Sequence, residues 1–163
     1  ISPRSGRNEL ESLRDIEMTP LIKDGVVFAG SFQGNLISVD AFNGNLIWSK
    51  PMSVLSNISV DTDNVYVADS KGHIFALDRF SGFTKWRLKL ENNLIGAQSF
   101  SHGKYVINIS TKGHVIIIDK NQGKLLSLTK IVDDIDNQVK GVLTNKTLYI
   151  ASKNGRLNAI KID

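Results

Sequence analysis

The chain has 163 residues, a net charge of +4 and no cysteine, with hydrophobic residues at 41% and charged residues at 22%. This is globular composition, which excludes wholesale disorder. No apolar run is long enough for a membrane-spanning helix, and disulfides, thiolate catalysis and cysteine-bound zinc are excluded within this stretch. The basic excess is diffuse: Lys85, Arg87 and Lys89 alternate along one segment as a solvated strand face does, so no nucleic-acid partner is expected.

In chain order, Ile1-Ser2-Pro3 opens without Met or a leader pattern and is expected to mark a cut within a longer protein. Residues 1–17 mix Glu9, Glu11, Asp15 and Glu17 with Arg4, Arg7 and Arg14, and space Leu10, Leu13 and Ile16 three apart. They read as a loop or short helix with solvated ion pairs, each worth about 0–1 kcal/mol. A first group of short strands is expected at 19–22, 26–31, 35–40 and 45–50, joined by Lys23-Asp24-Gly25, Phe32-Gln33-Gly34 and the turn ending at Gly44. Further strands are expected at 65–70, 73–78 and 83–88, then at 105–110, 114–119 and 124–130. The last group, at 139–143, 147–152 and 156–162, has no fourth strand.

These groups are one repeat. Gly34, Gly72, Gly113 and Gly155 are 38, 41 and 42 residues apart. Six residues after the first three stand Asp40, Asp78 and Asp119; ten after stand Gly44, Gly82 and Gly123; fourteen after the first two stand Trp48 and Trp86. Four short strands with tight turns in about 40 residues is the pattern of a propeller blade. The markers have local reasons. Gly34 and its equivalents are expected in turns that need positive φ. The aspartates precede a turn whose backbone N–H groups a carboxylate can hold. The tryptophans offer flat surfaces for docking on the next blade.

The expected fold is all-β: four-stranded antiparallel blades, about four in number, within a single partial propeller domain spanning 1–163. Its parts are the segment 1–17, blades at 18–52, 57–90 and 95–130, and an incomplete blade at 138–163. The aspartates belong to different blades, which argues against paired acid–base chemistry. His73 and His114 share a slot that holds Asn35 and Arg156 in the other units, a tolerant polar strand start, and His102 lies in a turn. No ligand spacing supports a metal, and no catalytic residue or cofactor is expected.

The frame Val39-Asp40-Ala41-Phe42-Asn43-Gly44-Asn45-Leu46-Ile47-Trp48, repeated as Leu77-Asp78-Arg79-Phe80-Ser81-Gly82-Phe83-Thr84-Lys85-Trp86, resembles the PQQ-type propeller repeat. The segment from Gly6 to Pro20, leading into Gly25-Val26-Val27-Phe28-Ala29, resembles more narrowly the C-terminal half of the BamB family, β-propeller lipoproteins of the outer-membrane β-barrel assembly machinery. That resemblance implies an eight-bladed ring in the whole protein and a lipid anchor upstream at the periplasmic face of the Gram-negative outer membrane. It further implies a non-enzymatic scaffold that binds a BamA-type barrel component through Asp15 and Glu17 and assists unfolded outer-membrane protein clients. Glu17 stands where the family more often has Asp. The alternative reading is a fragment of a PQQ-dependent dehydrogenase, a class that needs calcium ligands and usually paired cysteines. The open edge at 156–162 is expected to drive self-association of the piece.

Overall fold

The computed structural model of the chain describes residues 18–91, 94–131, 141–151 and 155–162. Among these there is no helix, and strands fall into four antiparallel sheets in chain order. The first comprises β1 (Leu21–Lys23), β2 (Val26–Gly30), β3 (Asn35–Asp40) and β4 (Leu46–Pro51). The second comprises β5 (Ser59–Val60), β6 (Asn64–Ala68), β7 (His73–Asp78) and β8 (Thr84–Lys89). The third comprises β9 (Gly96–His102), β10 (Tyr105–Ser110), β11 (His114–Asp119) and β12 (Leu125–Lys130). The fourth has three strands among the described residues: β13 (Gly141–Thr144), β14 (Thr147–Ala151) and β15 (Leu157–Lys161). Each sheet is a meander in which consecutive strands pair, as blades of a propeller are.

Period-two alternation assigns each face of a sheet to one neighbour. Phe28 and Leu36 of the first sheet meet Val65, Val67 and Leu77 of the second. The other face of the second sheet, Tyr66, Ala68, Ile74 and Ala76, meets Val106, Ile116 and Ile118 of the third. The third then turns Ile107, Ile109 and Val115 to Leu148 and Ile150 of the fourth. Inner strands buried on both sides read as near-continuous apolar runs, such as Val115 to Ile118, rather than as alternation. Among the described residues only one face of the fourth sheet is covered. Leu148 and Ile150 are fully buried, whereas Val142, Tyr149 and Leu157 are exposed, Leu157 by 68%.

The same irregularity recurs between the third and fourth strands of the first three sheets. Ser38 pairs with Trp48 and Val39 with Leu46, so Ile47 is the extra residue of a bulge; Lys85 and Leu126 hold that place in the next two sheets. Bulges re-aim the side chain that follows, and here the following positions are Trp48, Trp86 and Ser127.

Two readings change. Gly72, Gly113 and Gly155 do have positive φ, but Gly34 does not; in that turn the left-handed residue is Gln33, at φ 55°. A Cβ at Gly34 would instead crowd Ser31 Oγ, so that hydroxyl would have to turn about its Cα–Cβ bond to make room. The inner strands β5 and β9 had no counterpart among the strands expected from sequence. β9 reads Gly-Ala-Gln-Ser-Phe-Ser-His, too poor in β-branched residues to signal a strand.

Candidate functional site

The proposed partner residues Asp15 and Glu17, with the rest of 1–17, lie outside the described residues. The repeat residues lie within them, and their geometry is local. Asp40 Oδ1 accepts from the backbone N–H groups of Phe42 (2.8 Å) and Asn43 (3.1 Å). Asp78 Oδ1 does the same for Phe80 and Ser81 and also takes the Ser81 hydroxyl (2.8 Å). Asp119 Oδ1 accepts from Asn121 and Gln122. Each carboxylate thus caps the turn of its own sheet, and the three do not converge. The Ser81 hydroxyl, ahead of the Ser81 amide and Lys85, holds the Asp78 carboxyl below its usual range.

The tryptophans join one sheet to the next. Trp48 Nε1 donates to Arg79 O and Trp86 Nε1 to Lys120 O, both at 2.8 Å. Beneath each ring lies the next sheet's second repeat glycine: a Cβ on Gly82 would stand 2.9 Å from Trp48, and one on Gly123 2.6 Å from Trp86.

The residues whose carbonyls receive those indoles carry a second inter-sheet contact that the sequence reading missed. Arg79, 5% exposed, reaches back to the β1–β2 hairpin, where it donates to Asp24 Oδ2 (2.7 Å) and Lys23 O (3.0 Å). Lys120 reaches the β5–β6 hairpin, pairing with Asp61 Oδ2 at 2.6 Å. The junctions between the first and second and between the second and third sheets are therefore latched alike, by an indole in one direction and a cation in the other. A signal was present: both cations directly follow the repeat Asp, seven residues after the turn Gly. At that place the first unit has Ala41 and the fourth Ile162.

Asp61 is the most densely bonded carboxylate among the described residues. Oδ1 accepts from the N–H groups of Asp63 and Asn64, and Oδ2 from the hydroxyls of Tyr66 (3.0 Å) and Ser101 (3.1 Å) besides Lys120. Burial acts to raise its pKa, but the Lys120 ammonium and the backbone donors outweigh it and hold the carboxyl down at about 2. Burial and then the neighbouring Asp61 charge push the Tyr66 phenol up. Asp24 is held below its usual range by Arg79.

The histidine slot is less bland than its sequence suggests. His73 Nδ1 lies 2.9 Å from Asp69 Oδ2, and Asp69 Oδ1 also caps the turn by accepting from Lys71 N and His73 N. Ser110 plays the capping part for His114, with Oγ 3.0 Å from the amide. The signal was a Ser or Asp three residues before each turn glycine. No group of three or more His, Cys, Asp or Glu gathers to hold a metal among the described residues.

Against the second latch lies a cleft of about 310 Å3 between the second and third sheets, lined by Asp63, Asn64, Phe80, Lys85, Trp86 and Lys120 among others.

Comparison with known proteins places this architecture. The sequence profile of a family described as outer membrane protein assembly factor BamB matches residues 1–88. The Escherichia coli K12 protein of that name is 29% identical over 161 residues, covering 98% of this chain and 41% of its own length, so the chain spans well under half of that relative. The crystal structure of BamB from Moraxella catarrhalis superposes with a TM-score of 0.75 at 26% identity, over 92% of this chain and 48% of that one. A quinohemoprotein alcohol dehydrogenase from Comamonas testosteroni, with a TM-score of 0.61 at 19% identity over 71% of this chain and 21% of its own, shares the fold alone. With more than half of its residues under one profile and the sheet order continuing beyond them, the chain belongs to the family of outer membrane protein assembly factor BamB.

Proposed function

We propose that the chain is part of a non-enzymatic scaffold subunit of the outer-membrane protein assembly complex. It works at the periplasmic face of the Gram-negative outer membrane, where an upstream lipid anchors the whole protein. It contacts a BamA-type barrel component through Asp15 and Glu17 and helps hold unfolded outer-membrane protein clients for insertion. The observation that carries this reading is the family match over residues 1–88, which includes the segment holding both acids. The fate of the other conspicuous side chains supports it. The repeat aspartates are spent on turns, the tryptophans on docking and the buried cations on latches, so recognition falls to the loops that a rigid propeller displays.

Capture by the periplasmic domains of a BamA-type partner tests the assignment. Reversing both charges, Asp15→Lys with Glu17→Lys, is expected to weaken capture and to slow association more than it speeds release, as rim charges do. Unchanged capture and rates would remove both residues from the contact.

A further inference from the structure

The cleft between the second and third sheets has an unbalanced set of polar groups. The β1–β2 and β5–β6 hairpins are equivalent: Ala41 N donates to Gly25 O in the first sheet, and Arg79 N to Asp63 O in the second. The first hairpin carries one carboxylate, Asp24, answered by Arg79. The second carries two, Asp61 and Asp63; Lys120 reaches back to it from the third sheet and is paired with Asp61, while within the second sheet Lys85 Nζ lies 3.4 Å from the main-chain oxygen of Asp63 and Arg79 Nη1 3.4 Å from that of Asp61. Lys85 pairs with Asp78 (3.4 Å), and the Trp86 indole is taken by Lys120 O. Lys120, Lys85 and the Trp86 indole are therefore each already bonded; Asn121, whose main-chain N–H goes to Asp119 Oδ1, also lines the cleft. The Asp63 carboxylate, at the place of Gly25, has no ion pair or hydrogen bond among the described residues.

A second acceptor is also unmet. Asn64 Nδ2 donates to Tyr66 Oη at 3.0 Å, and the Tyr66 hydroxyl in turn donates a hydrogen bond to Asp61 Oδ2 at 3.0 Å. The amide orientation is thereby fixed, and Asn64 Oδ1 is buried with no partner. Such groups call for an explanation. Two aromatic rings flank these acceptors: Trp86, half-buried, and Phe80, 66% exposed at the rim. The chain shows what suits such a place, since the Arg79 guanidinium lies 5.6 Å from the centroid of the Phe80 ring while paired with Asp24.

We propose that this cleft is a docking site for an arginine side chain of a protein partner, the guanidinium pairing with Asp63 and lying against Phe80 and Trp86. A planar fork of N–H donors satisfies a carboxylate in two places and stacks on aromatic rings. An ammonium does less of this, and an anion meets lysines that already have carboxylate partners. The site is independent of the contact assigned to Asp15 and Glu17, and either stands if the other fails.

The test uses the full 163-residue chain with 15N-labelled indoles. Its two tryptophans give two signals, assigned with Trp86→Phe, and Trp48 at the first junction is the internal control. N-acetyl-arginine amide is expected to move the Trp86 indole saturably at millimolar concentration and to leave Trp48 still. N-acetyl-citrulline amide, of the same shape without the charge, and N-acetyl-aspartate amide are expected to move neither. Asp63→Asn alters an exposed side chain that has no hydrogen bond or ion pair among the described residues and is expected to weaken arginine binding about fivefold. The proposal is overturned if both indoles move together, if citrulline matches arginine, if the aspartate compound moves Trp86, or if Asp63→Asn binds arginine as before.

Discussion

Alanine at Gly82 and at Gly44 separates the cost of a turn from the cost of undocking a tryptophan. Both glycines occupy the same place in the repeat and the same left-handed backbone, φ +72° and +73°. A Cβ in that region costs about 1–2 kcal/mol. At Gly44 it would meet nothing within 4 Å, so Gly44→Ala is expected to lose that amount alone. At Gly82 it would stand 2.9 Å from Cδ2 and Cε3 of Trp48. That indole is 7% exposed and tied through its N–H to Arg79 O, so it cannot slide. Lifting the ring forfeits a hydrogen bond worth about 1 kcal/mol and strains the packing by about 1–3 kcal/mol. Gly82→Ala is therefore expected to destabilise by about 2 kcal/mol or more beyond Gly44→Ala. Urea unfolding followed by circular dichroism gives both losses, and tryptophan emission should shift to the red in the folded Gly82→Ala protein only. Equal losses, with no spectral change, would refute the docking argument.

The Asp61 carboxyl titrates near 2 in the folded chain against an ordinary value of 3.8, so the unfolded chain binds more protons between those values. Its contribution, about 1 kcal/mol after allowance for solvent screening, should be complete above about pH 4 and fade as the pH falls toward 2. Urea midpoints of the parent and Asp61→Asn proteins should converge over that range, and a constant gap would contradict the assignment. Lys120→Met should raise the Asp61 carboxyl, read by carbon NMR, because the ammonium at 2.6 Å is lost. Asp78→Ala removes three accepted hydrogen bonds from one exposed turn and should cost about 1 kcal/mol in urea unfolding; a neutral result would show that the turn holds itself. With one face of the fourth sheet uncovered and β15 at its edge among the described residues, the chain is expected to associate at high concentration. Light scattering should show this, and Leu157→Lys should reduce it; a clean monomer throughout would count against association by that surface.

The repeat was legible in the sequence because each of its features has a local cause. Left-handed turns select glycine at Gly82 and Gly123, a carboxylate four residues earlier ties down the same turn, and strands buried on both faces must be apolar throughout. Such constraints act over a few residues, and spacing alone exposes them. Even so, the local rule failed at Gly34, where Gln33 rather than the glycine takes the positive φ, and at β9, whose polar sequence is held by pairing with β10.

Sequence by itself therefore determined the unit, its length and the succession of four sheets. Tertiary structure alone decided how the units are fastened and where groups are left over. Arg79 and Asp24 are 55 residues apart and Asp61 meets Lys120 from another sheet, so the repeat spacing marks the two cations but not the carboxylates they meet. The surplus carboxylate of Asp63 becomes visible only once every neighbouring cation has been matched to a partner. The physical reason is one of range: turn chemistry and strand alternation are written within a blade, whereas the balance of charge at a junction is a property of two blades brought together.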